Sequence, residues 1–339
     1  MKLASVGISV ATLKQGAICL LTAMGLVALL VSLASAQPVK SVSVGYLGVS
    51  QLVSPPPAFV EELRERGYEE GRNLRIEFRS AKGRPEALPK LAAELVGLRP
   101  DVLVGATTPS ALALKKETDS IPIVIFSVGD PVASGLVQSF ARPGGNVTGS
   151  SLATEIWESK RLQLVKEVLP QICCLSVLRN PSNQFGASPF ATTIYQNAAK
   201  TLGLELKMIE AASPDELDQA LAVPQDVRFR TALFSAPDGL FVSRRAQIIA
   251  FAQRQRIALF MPYREDAEAG ALMSFGASLD DQSRLAADYV DRIIKGARPA
   301  DLPVQQPTKF DLVLNLRAAK ALGLTFPPSV VAGATELIE

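Results

Sequence analysis

Residues 121–149 restrict the possible folds of this chain more than any other stretch. An unbroken apolar run, residues 121–126, ends in Ser127-Val128-Gly129-Asp130-Pro131; an amphipathic helix is expected over 132–140, followed by a Gly-Gly-Asn loop. A run without polar alternation suits a strand buried on both faces, as in a parallel sheet covered by helices. In such sheets ligands bind just beyond the carboxyl ends of the strands. Residues 127–130 sit at such an end, directly before a helix start, and are a ligand-site candidate on that ground alone.

The same alternation of strand and helix extends along the chain. Residues 41–47 read as a strand and 57–66 as a helix. Leu74, Ile76 and Phe78 alternate with Arg75, Glu77 and Arg79, the pattern of a half-exposed strand near a sheet edge. Pro85 opens a helix through Leu95, 101–105 is a buried strand, and Thr108-Pro109 joins an N-cap to a proline at the first helical position. The cycle then restarts, with a helix over 157–168, a strand over 172–178 and a helix ending near Leu202. Pro214-Asp215-Glu216-Leu217 echoes Pro85-Glu86-Ala87-Leu88. The strand 231–236 with Pro237-Asp238-Gly239 echoes 101–109, and 257–261 with Arg264-Glu265-Asp266 echoes 123–135. The fold class is therefore α/β, with two similar doubly wound parallel-sheet lobes. One more amphipathic helix (280–296), a Pro-rich connection (299–307), a strand (309–314) and a helix capped by Asn315 complete the chain. Two such sheets facing each other leave a cleft at their carboxyl ends, fit to enclose a small ligand.

Residues 1–36 read as a cleavable export signal: Lys2 and Lys14 give the charge, 17–33 is almost wholly apolar, and Ala34-Ser35-Ala36 is a small-residue cleavage pattern. An uncleaved anchor is the alternative, since the apolar run approaches bilayer-spanning length. Cys19 lacks the small residue that a lipidation site wants just before it. Cleavage removes two of the 35 Lys and Arg and no acid, leaving 33 basic against 33 acidic residues. A net charge of zero argues against nucleic acid and anionic membrane as partners. The chain contains no histidine, which excludes Ser-His-Asp triads, Cys-His pairs and His-ligated zinc. Cys173 and Cys174 fall on an expected strand and should point to opposite faces as two small hydrophobes, with a vicinal disulfide or reactive thiol as the alternative.

Several long strings resemble the substrate-binding proteins of ABC transporters, in the subgroup with tryptophan- and tyrosine-binding members. They are FVEELRERGYEEGRNLRIEFRSAKGRPEALPKLAAELV, PDVLVGATTPSALALKKET, IPIVIFSVGDPVASGLVQSFARPGGNVTG, YREDAEAGALMSFG and KGARPADLPVQQPTKFDLVLNLRAAKALGL, which cover nearly the whole mature chain in order. The resemblance implies a type I periplasmic-binding fold whose lobes are joined by a three-segment hinge near 146–151, 275–279 and 304–310. Lobe I would be residues 37–149 with 277–304, and lobe II 150–276 with 305–339. A hinge is also the better reading of Asn146-Val147-Thr148 than a glycosylation site. Two loops depart from the family pattern, Arg179-Asn180-Pro181-Ser182-Asn183-Gln184-Phe185 and Ala236-Pro237-Asp238-Gly239, so a preference for aromatic amino acids does not transfer directly.

On this frame Thr107 and Thr108, ahead of a helix N-terminus, are expected to hold a ligand carboxylate. Thr108 has a competing role as a simple cap. Ser127 would add a hydrogen bond, and Asp130 would take an ammonium or hydroxyl unless it merely caps the turn at Pro131. Asn180, Asn183, Asp238 and Tyr263 would close from the second lobe, while Tyr46, Phe185 and Phe275 are candidate stacking surfaces. Glu265-Asp266 reads as a helix start with a solvated acid, since adjacent residues do not share a helix face. No catalytic residue, metal or cofactor is expected. The expected function is a monomeric, periplasmic solute receptor that delivers a small carboxylate, such as an amino acid, to an ABC permease. A sensory partner for a membrane receptor and an exported hydrolase with two carboxylates are the alternatives.

Overall fold

The computed structural model describes residues 41–50, 53–152, 154–183, 189–222 and 231–339. The expected export signal, Gln184 and Phe185 lie outside the described residues. The first lobe runs β1 (Val42–Gly48), α1 (Pro57–Glu65), β2 (Leu74–Ser80), α2 (Leu88–Gly97), β3 (Val102–Ala106), α3 (Thr108–Glu117), β4 (Ile123–Val128) and β5 (Val147–Ser151). The second runs α4 (Thr154–Val168), β6 (Cys174–Arg179), α5 (Pro189–Leu202), β7 (Glu205–Glu210), α6 (Pro214–Ala222), β8 (Thr231–Ser235), α7 (Gly239–Ser243), α8 (Arg245–Gln255), β9 (Ala258–Met261), α9 (Arg264–Glu268) and β10 (Met273–Ala277). The chain then crosses to α10 (Leu279–Ile294), which packs on α1 and β4 of the first lobe. It returns as β11 (Phe310–Asn315), α11 (Leu316–Leu322), α12 (Pro328–Ala332) and β12 (Glu336–Ile338) in the second.

The first sheet has the order β2-β1-β3-β4-β5 and is parallel throughout. The second has the order β12-β11-β10-β9-β8-β6-β7, with β11 antiparallel to β10 because the chain re-enters that sheet after its excursion through α10. Both faces of each sheet are covered, which gives four apolar clusters. In the first lobe Val102, Val104 and Ala106 meet α1 and α10, while Leu103 of the same strand meets α2 and α3. That is the two-residue alternation of a strand with both faces buried. A carboxylate ties α10 to α1: Asp291 accepts from the Tyr68 hydroxyl at 2.9 Å and from Arg66 at 3.1 Å. These bonds hold the C-terminal part of α10 against the end of α1.

Three expectations need correction. Residues 132–140 do not form a helix; Pro131 accepts from the amides of Leu136 and Val137, and Gly135 takes φ +71°, so the chain turns once and leaves. Cys173 precedes β6 instead of lying on it, and its sulfur sits 2.9 Å from that of Cys174 with no disulfide between them. Opposite faces do not apply to a residue outside the pleat. The last two elements, α12 and β12, were not anticipated: Pro328 starts a helix of five residues, and β12 adds a parallel edge to β11.

Candidate functional site

A cavity of about 530 Å3 lies where the carboxyl ends of β1, β3 and β4 face those of β6, β8 and β9. The first lobe supplies its apolar wall. Tyr46 is buried in β1, with its ring 5.5 Å from Phe78, 6.1 Å from Phe126 and 5.6 Å from Phe59; Tyr46, Phe78 and Phe126 all line the cavity. Burial holds the Tyr46 phenol well above its ordinary value. Such a cluster of tilted rings presents a preformed surface to another flat apolar group.

Two strand ends on this wall adopt backbone conformations rare for residues with a Cβ. Thr107 has φ +103° and Ser127 has φ +56°, and both line the cavity. Strain of this kind persists where the surrounding structure over-determines it, commonly at ligand sites. The Thr107 amide donates to the Phe126 carbonyl at 3.1 Å, which locks the two strand ends together. Thr107, not Thr108, occupies the N-cap position of α3, and no side chain caps that helix. Thr108 is instead the first helical residue, buried, with its hydroxyl accepting from the Gly129 amide at 3.3 Å.

The second lobe supplies a polar wall built around Asp238. Its Oδ1 accepts from the Leu240 amide at 2.7 Å, capping α7, and from Asn180 Nδ2 at 3.2 Å; its Oδ2 accepts from Asn183 Nδ2 at 2.7 Å. Burial raises the Asp238 pKa, against the lowering effect of these donors. Tyr263 is buried after β9 and lines the cavity opposite Ser127 of the other lobe. Burial raises its pKa, and the Ser127 side chain opposes that rise. The lobes also approach closely at Gly83, where a Cβ would lie 2.9 Å from Ser243 Oγ and φ is +78°.

Beneath this wall, Arg161 and Glu158 of α4 are both 0% exposed. Arg161 Nη2 donates to both Glu158 oxygens at 2.9 and 3.0 Å and to the Ser235 carbonyl at 2.7 Å, and its guanidinium lies 3.8 Å from the Phe234 ring centre. The pair thus braces the end of β8 just ahead of Asp238. Burial raises the Glu158 pKa to about 7 although Arg161 opposes it.

Of the residues singled out in the sequence, Tyr46, Thr107, Thr108, Ser127, Asn180, Asn183, Asp238 and Tyr263 converge on this one cavity. Asp130 and Phe275 do not line it. Asp130 Oδ1 accepts from the amides of Val132 and Ala133, each at 2.9 Å, so its carboxylate serves the turn that replaces the expected helix. Phe275 stacks on Phe310 at 6.0 Å, between the antiparallel strands β10 and β11. Sequence reasoning missed Phe78, Phe126, Arg245, Glu265, Asp280 and Ser283, all of which line the cavity. Pattern alone makes Phe126 and Phe78 strand residues; their positions at the carboxyl end are the signal that places them at the cavity. Asp266 is fully buried, accepts from the Tyr263 amide at 2.9 Å and bonds Arg245, while its neighbour Glu265 turns to the cavity. Burial raises the pKa of both acids.

Comparison with known proteins agrees with this architecture. Residues 53–338 match the family model described as ABC transporter substrate binding protein. A tyrosine-binding protein of Clostridioides difficile (strain R20291) is 28% identical over 284 residues, covering 82% of this chain and 81% of that protein. The crystal structure of a conserved domain protein from Vibrio cholerae is 31% identical, with a TM-score of 0.78, covering 88% of this chain and 100% of that one. The fold also matches an ABC domain in complex with L-Trp from Streptococcus pneumonia (24% identity, TM-score 0.78, 88% and 100% covered). Against a ligand-free, open substrate binding protein with adhesive properties from Clostridium difficile the TM-score is 0.61, at 25% identity with 87% and 99% covered. A family match of this extent, on twin α/β lobes around one cavity, establishes that the chain belongs to the ABC transporter substrate-binding proteins.

Proposed function

We propose that the protein is the exported solute receptor of an ABC importer, capturing an amino acid between its lobes and presenting it to a membrane permease. The observation that carries this reading is the cavity itself, lined by aromatic rings of one lobe and hydrogen-bonding groups of both, with Tyr263 and Ser127 facing each other across it. The uncapped start of α3, with Thr107, Thr108 and Ser127 beside it, would receive the ligand carboxylate on helix amides and hydroxyls. Tyr46, Phe78 and Phe126 would cover its apolar body. Asp130 and Phe275 take no part in the proposal. The tyrosine-binding relative and the L-Trp complex support an amino acid as the solute class.

Capture would work by closure. The three crossings, near 146–151, 275–279 and 304–310, are the proposed hinge between lobe I (37–149 with 277–304) and lobe II (150–276 with 305–339). Two of them run side by side: the Ser151 amide donates to the Gln305 carbonyl and the Gln305 amide to Gly149, each at 2.9 Å. Few residues thus need to change conformation for the lobes to rotate. The higher similarity to the L-Trp complex than to the open protein is what a shut arrangement would produce. Residues 1–36 would direct export to the periplasm and be removed, and the mature chain would act as a monomer.

A thermal-shift screen of amino acids, sugars and nucleosides tests the reading. A ligand of the native state raises the melting point by mass action. Stabilisation by one or more amino acids is expected. Stabilisation by sugars or nucleosides alone would remove the carboxylate role of Thr107 and Thr108, and stabilisation by nothing would remove the receptor role.

A further inference from the structure

The cavity has an unbalanced charge. Among the described residues that line it there are three carboxylates, Asp238, Glu265 and Asp280, and one cation, Arg245. Arg245 Nε is committed to the buried Asp266, and Asp238 is filled by Asn180, Asn183 and the α7 amide. Glu265 and Asp280 are left. They come from opposite lobes, Glu265 from α9 and Asp280 from the first turn of α10; the Arg245 charge acts on Glu265 favourably, and those of Asp266 and Asp280 oppose its ionisation.

Two further atoms identify what is missing. Glu265 Oε2 is shut off from solvent and has no hydrogen-bond partner. Ser283, one turn beyond Asp280 on the same face of α10, is 1% exposed and lines the cavity, and its Oγ also lacks a partner. Buried polar atoms are normally satisfied, and an orphaned one needs an explanation. Two carboxylates and a hydroxyl lining one cavity supply the acceptors that the three donors of an ammonium group require. Without a cation there, closure would bring the like charges of Glu265 and Asp280 toward each other, which is unfavourable.

We propose that Glu265, Asp280 and Ser283 form a subsite for a cationic nitrogen of the solute, and that this nitrogen, more than a carboxylate, is the feature the closed state requires. The inference rests on the receptor reading above and specifies its ligand: an apolar or aromatic body carrying an amine. The subsite also fills the role that the sequence suggested for Asp130, whose carboxylate is occupied by its own turn.

The test is calorimetric titration with three probes that share one ring: L-tyrosine, tyramine and 3-(4-hydroxyphenyl)propionate. The wild type should bind tyrosine and tyramine within about tenfold of each other and the propionate at least about a hundredfold more weakly, the scale expected when a buried charge loses its partner. Glu265→Gln and Asp280→Asn should each weaken tyramine binding by about tenfold or more, and Ser283→Ala by less, since a neutral hydrogen bond is worth less than a charged one. Melting points of the solute-free variants, compared with wild type, separate a lost contact from a lost fold. Binding of the propionate as tightly as tyrosine, or unchanged tyramine affinity in both folded acid variants, overturns the subsite while leaving the receptor intact. Failure of all three probes together with every amino acid in the thermal screen overturns both.

Discussion

The two walls of the cavity do different work. The first-lobe wall is largely apolar and preformed: Tyr46 packs against Phe78 and Phe126, and the strained strand ends at Thr107 and Ser127 are held by β3 and β4. The second-lobe wall is polar and is stabilised by hydrogen bonds among Asp238, Asn180 and Asn183, over the buried Glu158–Arg161 pair. A flat apolar wall gives area without direction. A wall of buried donors and acceptors discriminates, because a wrong ligand leaves its groups unpaired. The comparison teaches that the aromatic area comes from one lobe while polar contacts come from both, so closure is needed to bring them onto one solute.

The contrast breaks most severely at Arg161. Arg161→Met should destabilise the protein by about 3–5 kcal/mol at pH 8, the cost of a buried charge left alone, measured by chemical denaturation. Glu158→Gln sharpens the point through pH. Its acid has a folded pKa of about 7, above the ordinary 4.5, so the native state holds its proton more firmly than the unfolded chain does. The stability this provides is complete below about 4.5 and is lost as pH rises through 7. Melting curves from pH 5 to 7.5 should therefore show wild type losing ground to Glu158→Gln as pH increases. A constant difference across that window would remove Glu158 as a titrating group.

A smaller effect is expected at the seam between the walls. Tyr263→Phe deletes the hydroxyl that faces Ser127 across the cavity and leaves the ring in place. One hydrogen bond is worth about 1 kcal/mol, so solute affinity should fall about fivefold with little change in melting point. The same substitution should slow association less than it speeds dissociation, since contacts within a closed complex act mainly on release. The smallest effect belongs to Asp130→Ala, which removes a turn cap outside the cavity: stability should drop by about 1 kcal/mol and affinity should be unchanged.

Much of this arrangement was legible from residue order alone. The apolar runs at 102–106 and 123–128 became central strands, the alternating Leu74, Ile76 and Phe78 became an edge strand, and the polar groups placed after strands gathered in one cavity. What escaped was set by tertiary geometry. Ser134-Gly135 allows a tight turn where periodicity suggested a helix, and Asp130 then spends its carboxylate on that turn. Glu265 and Asp266 are adjacent, yet one enters the cavity and the other is buried against Arg245; that choice depends on how α9 leaves β9. Asp280 and Ser283 sit on a helix of ordinary amphipathic pattern, and their place in the site follows from the crossing that swings α10 over the first lobe. Local pattern carries no trace of such a crossing.

The central claim is that a solute holds two separate lobes together. Small-angle X-ray scattering of the mature protein, alone and saturated with whichever amino acid gives the largest thermal shift, addresses it directly. The account predicts a smaller radius of gyration and a shorter maximum dimension on saturation. Identical profiles at full occupancy would contradict it, because the solute would then be bound without any movement of the lobes.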